Sequence, residues 1–139
     1  MSRIIAIDYG GKRTGLAVSD PLKIIAQGLT TIPSAELIDF LKQYFSKENV
    51  EMILVGLPKN LDDSPTHMSS SVEQLVIQLK KQFPDKPVKT LDERFTSKLA
   101  SKAMVDMGMK KRQRQDKALV DEIAATILLQ DYLQQANNY

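Results

Sequence analysis

The first twenty residues constrain the fold more than any other part of the chain. Residues 4–7 form a short apolar run, Ile-Ile-Ala-Ile, that is typical of a buried strand and ends at Asp8. The Gly10-Gly11 pair follows, and residues 14–19 have the composition of a second strand. We therefore predict an opening β-hairpin. Such a hairpin argues against flavodoxin-like folds, which alternate parallel strands and helices from the start.

After the hairpin, short apolar runs alternate with segments of helical periodicity. The predicted order is a strand at 24–32, a helix from 33 to about 45, a strand at 52–55, a helix at 69–83, a strand at 88–91, a helix at 96–107 and a helix at 117–133. Hairpins followed by crossover connections give an α/β fold with a mixed five-stranded sheet flanked by helices.

The composition fits one globular domain over residues 1–139. With 42% hydrophobic residues the chain is long enough to bury a single core. It contains no cysteine, which excludes disulfide frameworks, thiolate metal sites and cysteine nucleophiles. No apolar run approaches the length of a membrane span, so we expect a soluble, cytoplasmic protein with no membrane partner.

Two acidic residues follow predicted strands. Asp8 ends the first strand beside glycines, where its carboxylate can face a ligand; a turn-forming aspartate that accepts backbone amides is the alternative. Glu93 follows the fifth strand in the sequence Asp92-Glu93-Arg94, and its alternative is an ordinary solvated loop charge.

A third acid, Asp121, falls within the apolar stripe of the last helix. That stripe consists of Val120, Ile123, Ala124, Ile127 and Leu128. Because an unpaired buried charge is costly, Asp121 needs a cation, a hydrogen-bond donor or a water-filled cleft nearby. The alternative to a metal site is a salt bridge with Arg13 or Arg94. Asp131 also lies in the stripe, but near the end of the helix.

Three carboxylates at strand and helix ends suit Mg²⁺ or Mn²⁺, which take hard oxygen ligands and complete their coordination with water and phosphate. Two such ions can activate a water and stabilise the leaving oxygen of a phosphodiester. The only histidine, His67, lies in a polar loop, so a mechanism with a histidine pair is excluded. The chemistry indicated is hydrolysis of a nucleic-acid backbone.

The net charge of +2, from 19 basic and 17 acidic residues, is unremarkable, but basic residues cluster locally. The cluster lies between the last two predicted helices and consists of Lys110, Lys111, Arg112, Arg114 and Lys117. Phosphate is its expected partner, and a flexible solvated loop is the alternative. Lys12 and Arg13 are stronger candidates for phosphate contact because they follow Asp8 directly.

Four segments together resemble the YqgF family of ribonuclease H-like proteins. They are residues 8–17 (DYGGKRTGLA), 55–58 (VGLP), 92–97 (DERFTS) and 120–125 (VDEIAA). The family is described both as Holliday junction resolvases and as pre-16S ribosomal RNA nucleases. The resemblance spans nearly the whole chain and implies a ribonuclease H-like fold.

The resemblance also implies a function and a site. The site is a catalytic Mg²⁺ or Mn²⁺ centre at Asp8, Glu93 and Asp121, with Arg94 among the nucleic-acid contacts. The implied activity is endonucleolytic cleavage of structured nucleic acid in 5′-end maturation of pre-16S rRNA. Cleavage of Holliday junctions in DNA recombination is one alternative, and a non-catalytic RNA-binding role in ribosome assembly is another.

Two departures limit the comparison. Related resolvases of the RuvC type carry a fourth acid one helical turn after the last, and Ala124 stands at that place here. This weakens the junction-cutting alternative. The family also commonly has a glycine near the position of Asp63, so no catalytic role is carried onto that loop.

A phosphotransferase of the actin and sugar-kinase type has a similar hairpin, but it closes two domains around ATP, and 139 residues supply one.

Overall fold

A computed structural model of the chain describes residues 2–57, 69–92 and 117–137. Its five strands are β1 (Arg3–Tyr9), β2 (Arg13–Ser19), β3 (Ala26–Pro33), β4 (Val50–Leu57) and β5 (Val88–Asp92). Its three described α-helices are α1 (Leu37–Lys47), α2 (Ser69–Gln82) and α3 (Lys117–Asn137), and a 3₁₀ turn, Ser34–Glu36, precedes α1. The predicted helix at 96–107 lies outside the described residues, as does His67.

The strands form one mixed sheet in the order β3-β2-β1-β4-β5. β1, β2 and β3 are antiparallel neighbours, while β4 pairs in parallel with both β1 and β5. The predicted α/β class with a mixed five-stranded sheet is therefore confirmed. Because β1, β4 and β5 run the same way, their carboxyl ends meet at one edge of the sheet.

Alternation along the strands divides the buried side chains between two cores. Ile5 and Ile7 of β1 face the core formed with α1 and α2. Ile4 and Ala6 face the opposite core, where α3 contributes Ala125, Leu128, Leu129 and Leu133. The central strands are thus covered on both faces, which explains why 52–55 is a continuous apolar run. None of the described helices is long and apolar enough to cross a membrane.

Helix α1 begins later than the sequence predicts. Pro33 closes β3, and residues 34–36 form a 3₁₀ turn before the α-helix starts at Leu37. Ser34 is not the N-cap of either helical segment, since Pro33 caps the 3₁₀ turn and Glu36 caps α1. Its hydroxyl contacts the β1–β2 turn instead.

Candidate active site

Asp8 lies near the carboxyl end of β1 on the face of the sheet that α3 covers. The two preceding residues with the same orientation, Ile4 and Ala6, belong to the core beneath α3. In the β1–β2 ladder Asp8 is directly opposite Gly15. Opposite residues of an antiparallel pair share a face, and since residue 15 is a glycine, the position of β2 opposite Asp8 places no side chain between the sheet and the helix.

Asp121 reaches the same place from α3. A β-carbon added to Gly15 would overlap the backbone carbonyl of Asp121. A glycine inside a strand often marks such a close approach of a second backbone. The next residue of the helix, Glu122, lays its side chain, not its backbone, against Gly28 of β3. The first turn of α3 therefore approaches β2 most closely at Gly15, and Asp8 and Asp121 are brought to one part of one face.

Arg13 pairs with Asp121. Its Nε donates to Oδ2 of Asp121 at 3.1 Å. The side chains are 39% and 27% exposed, so the pair is accessible to solvent and does not lie within the core. This is the salt bridge that the sequence leaves open as the alternative for Asp121. Asp121 thus has a cation nearby, as the sequence requires of an acid in the apolar stripe, and it is also partly accessible to water.

A hydroxyl network fixes the turn that carries Lys12 and Arg13. The Ser34 hydroxyl donates to the Gly10 carbonyl at 2.6 Å and is hydrogen-bonded to the Thr14 hydroxyl at 2.8 Å. The Ser34 amide donates to the Lys12 carbonyl at 2.9 Å. Sequence reasoning missed this role, because a serine after a proline is read as the start of a helix. The available signal was Thr14, a polar residue that alternation places on the same face of β2 as the apolar Leu16 and Val18.

The remaining predicted site residues divide into two groups, inside and outside the described residues. Lys12 is exposed at the turn beside Asp8. Glu93, Arg94, Lys110, Lys111, Arg112 and Arg114 lie outside the described residues, and so does the side chain of Lys117. Among residues 2–57, 69–92 and 117–137, no three acidic or histidine side chains form a metal-binding cluster. The described part of the site therefore contains two acids and two cations.

Two other positions on α3 have clear surroundings. Ala124, at the place of the fourth acid, is 6% exposed within the core. Asp131 is exposed, as expected near the end of the stripe, and accepts a hydrogen bond from Gln135 at 3.2 Å. Asp121 is thus the acid of the apolar stripe that lies beside the β1–β2 hairpin.

Comparison with known families covers almost the whole chain. The sequence model of RuvX, described as Holliday junction resolvase, matches residues 2–135. The chain belongs to the RuvX family. This confirms the resemblance stated from the sequence, since RuvX and YqgF denote the same family. The predicted nuclease class is confirmed at the level of this family.

Curated RuvX relatives match over nearly their full length. A protein of Bacteroides fragilis is 56% identical over 96% of this chain and 97% of its own, and bears the name "Putative pre-16S rRNA nuclease". Proteins of Flavobacterium psychrophilum, 56% identical, and Phocaeicola vulgatus, 57% identical, bear the same name. Each alignment includes 96% of this chain, with 97% and 96% of the respective relative.

Solved structures show the fold of this RuvX chain. RuvC of T. thermophilus, in complex with a Holliday junction substrate, aligns with a TM-score of 0.55 at 13% identity, covering 99% of this chain and 97% of that one. The Fowlpox virus resolvase, in complex with Holliday junction DNA, aligns with a TM-score of 0.57 at 12% identity over 96% and 98%. The ribonuclease H-like fold is thereby confirmed.

Proposed function

We propose that this RuvX protein is a divalent-metal-dependent endonuclease whose catalytic acids are Asp8, Glu93 and Asp121. The observation that supports the site is the convergence of Asp8 and Asp121 on one face of the sheet, across Gly15. The two acids are separated by more than one hundred residues in sequence, yet β1 and α3 deliver both to the same edge.

The chemistry of these donors suits a hard cation. Carboxylate oxygens are the ligands that Mg²⁺ and Mn²⁺ prefer, and a partly exposed cleft allows water and phosphate to complete the coordination. Glu93 is proposed as the third ligand because β5, which precedes it, ends at the same edge of the sheet as β1. When bound, the metal supplies Lewis-acid activation of water and stabilises charge on the leaving oxygen.

The chain's own residues bind and orient the substrate. Lys12 stands exposed at the turn beside Asp8, where it attracts a phosphodiester. The network of Ser34 and Thr14 holds this turn in one conformation, which limits the conformational entropy lost on binding. The cluster of Lys110, Lys111, Arg112 and Arg114 is proposed to contact phosphates further along the nucleic acid.

The proposed substrate is the 5′ end of pre-16S rRNA, which also implies a cytoplasmic site of action. The names of the relatives support it, and the apolar environment of Ala124 supports it over a Holliday junction, because an acid there would be buried in the core. A four-way DNA junction is the second candidate, favoured by the description of the family.

Cleavage assays test the proposal. Wild type with Mg²⁺ or Mn²⁺ should cut a pre-16S rRNA 5′-end substrate more efficiently than a four-way DNA junction. Asp8→Asn should abolish the activity, whereas the matched change Asp131→Asn, at an exposed acid of α3, should leave it intact. Binding of the RNA without cleavage under any metal condition would make the protein a non-catalytic assembly factor and overturn the proposal.

A further inference from the structure

The ion pair between Arg13 and Asp121 engages an oxygen that the proposed metal site needs. Oδ2 of Asp121 accepts from Arg13 Nε, and Arg13 lies at the start of β2, two residues before Gly15. Alternation along β2 places Arg13 and Gly15 on the same face as Asp8. A guanidinium therefore stands among the groups that are proposed to hold the metal.

We propose that Arg13 competes with the divalent metal for Asp121 and that a phosphate of the nucleic acid removes this competition by drawing the guanidinium to itself. The inference rests on the proposed function, since it concerns the same site. It makes Arg13 a positioning residue that couples loading of the metal to arrival of the substrate.

The charges require competition in the free protein. A guanidinium stays protonated at any physiological pH, so its positive charge remains beside Asp121. A divalent cation on the same carboxylate would be repelled by that charge, and each would weaken the other's attraction to the acid. In the absence of nucleic acid, the affinity of the site for metal is therefore lower than the affinity that the same carboxylates would have with no guanidinium beside them.

The geometry allows exchange. Arg13 makes a single N–H bond to Asp121 rather than two parallel bonds, and both side chains are partly exposed. Such half-exposed pairs are weak and easily rearranged. Phosphate offers the two-oxygen partner that a guanidinium binds best. A phosphate bound near Lys12 can therefore draw Arg13 away from Asp121, which would leave both carboxylate oxygens of Asp121 available to a cation.

Coupling of this kind is reciprocal. If nucleic acid strengthens metal binding, metal must strengthen nucleic-acid binding by the same factor. Arg13 contributes to this coupling because it pairs with Asp121 in the free protein and with a phosphate in the complex. Removing Arg13 should therefore raise metal affinity in the free protein and reduce the coupling.

Calorimetric titration of the free protein with Mn²⁺ tests the competition without measuring cleavage. Arg13→Ala should bind Mn²⁺ about five to ten times more tightly than wild type, as expected for removal of one nearby positive charge. Arg13→Lys retains the charge and should stay within about twofold of wild type. Lys47→Ala is the matched control and should leave Mn²⁺ affinity close to wild type, because Lys47 is an exposed lysine at the end of α1, which packs on the face of the sheet opposite to α3.

A double-mutant cycle assigns the effect to Asp121. In an Asp121→Asn background, Arg13→Ala should change Mn²⁺ affinity by less than about twofold, because the shared carboxylate is gone. Fluorescence anisotropy with a phosphorothioate RNA then measures the coupling: Mn²⁺ should strengthen RNA binding less in Arg13→Ala than in wild type. Thermal melts without metal establish that each variant is folded.

The outcomes separate this inference from the proposed function. Unchanged or weaker Mn²⁺ binding by folded Arg13→Ala, with wild-type binding that depends on Asp8, would overturn the competition and leave the nuclease site standing. Absence of Mn²⁺ binding by wild type, with and without RNA, would overturn both. An equal gain in affinity with and without Asp121 would refute a shared carboxylate.

Discussion

Gly15 lies directly beneath the backbone carbonyl of Asp121, and a β-carbon at Gly15 would overlap that oxygen and its carbon. The distance between the β1–β2 hairpin and α3 is therefore determined by this contact with Asp121, whose side chain is one of the proposed catalytic acids. Since Asp8 is opposite Gly15 in the ladder, the same contact also fixes the approach of Asp121 to Asp8. The glycine is required for the geometry of the site as well as for packing.

Gly15→Ala should disturb both stability and the site. Its methyl group would meet backbone rather than a flexible side chain, so α3 must shift. Overpacking of this kind costs about 1–3 kcal/mol, and a displaced Asp121 should lower metal-dependent cleavage more than the loss of folded protein explains. Chemical denaturation and a cleavage assay at equal folded concentration measure the two effects.

Gly11→Ala provides the control for that substitution. It lies in the same hairpin, and an added β-carbon there meets nothing within 4 Å. Its stability should stay within about 0.5 kcal/mol of wild type, because surface changes of this type have small effects. Equal losses in the two variants would contradict the importance of the contact between Gly15 and α3.

Asp121→Asn should change metal-free stability only slightly. A deeply buried pair would cost roughly 3–5 kcal/mol to break, but the partly exposed pair with Arg13 contributes about 1 kcal/mol or less. Relief of repulsion with Asp8 offsets part of this loss. We expect the metal-free Tm to fall by less than about 4 °C.

The response to metal distinguishes the roles of Asp121 more clearly. Mn²⁺ should raise the Tm of wild type and of Asp131→Asn alike, and should raise that of Asp121→Asn much less. Calorimetric melts with and without Mn²⁺ measure this difference. An identical metal-induced shift in all three proteins would remove Asp121 from the set of ligands.

Asp20 should make the β2–β3 hairpin sensitive to acid. Its carboxylate accepts from the amides of Ile25 at 2.8 Å and Ile24 at 2.7 Å. The hydrogen bond from Ile25, followed by that from Ile24, lowers the pKa of Asp20 below its ordinary value of 3.8. The stability that this interaction contributes is present above pH 3.8 and is lost as the pH falls through the lowered pKa.

Comparing Asp20→Ala with wild type at neutral pH and below pH 3.8 tests this dependence. The variant should melt at a lower temperature near pH 7, and the difference should shrink at the acidic pH. Asp20→Asn, which retains an acceptor oxygen, should recover part of the loss at neutral pH. A difference that does not vary with pH would indicate that the turn depends on shape and not on the charge of Asp20.

The basic cluster should contribute a salt-dependent part of nucleic-acid affinity. Replacing Lys111 and Arg112 with alanine should weaken binding equally across sequences, because phosphate contacts carry no base information. If both residues contact phosphate, the slope of log affinity against log salt should flatten by about 1.8 on duplex DNA and about 1.4 on single strands. Fluorescence anisotropy over a series of salt concentrations gives the slope, and an unchanged slope would contradict the assignment.

The sheet could be predicted because its strands are short apolar runs separated by glycine and proline. The strand predicted at 52–55 extends to Val50–Leu57, and the one predicted at 4–7 extends to Arg3–Tyr9. The ends were missed because a polar residue such as Arg3 joins the ladder through its backbone, which composition does not reveal. The mixed character of the sheet followed from the predicted hairpins and crossovers.

The surroundings of Asp121 could be predicted only in part. Helical periodicity showed an acid within an apolar stripe and offered Arg13 as one of two partners. It could not choose between them or foresee how much water reaches the pair, because both depend on how closely α3 approaches β2. That approach depends on Gly15, an isolated glycine within a strand, whose signal becomes specific only when the opposing helix is known.

Separate cores on the two faces of the sheet divide the consequences of mutation. Asp8 and Asp121 lie on the α3 side, whereas Leu41 and Leu79 are buried on the other side with α1 and α2. Substitutions in the core beneath α1 and α2 should therefore change the thermal tolerance of the protein while the spacing of the two acids is preserved. Substitutions in the core beneath α3 should affect both.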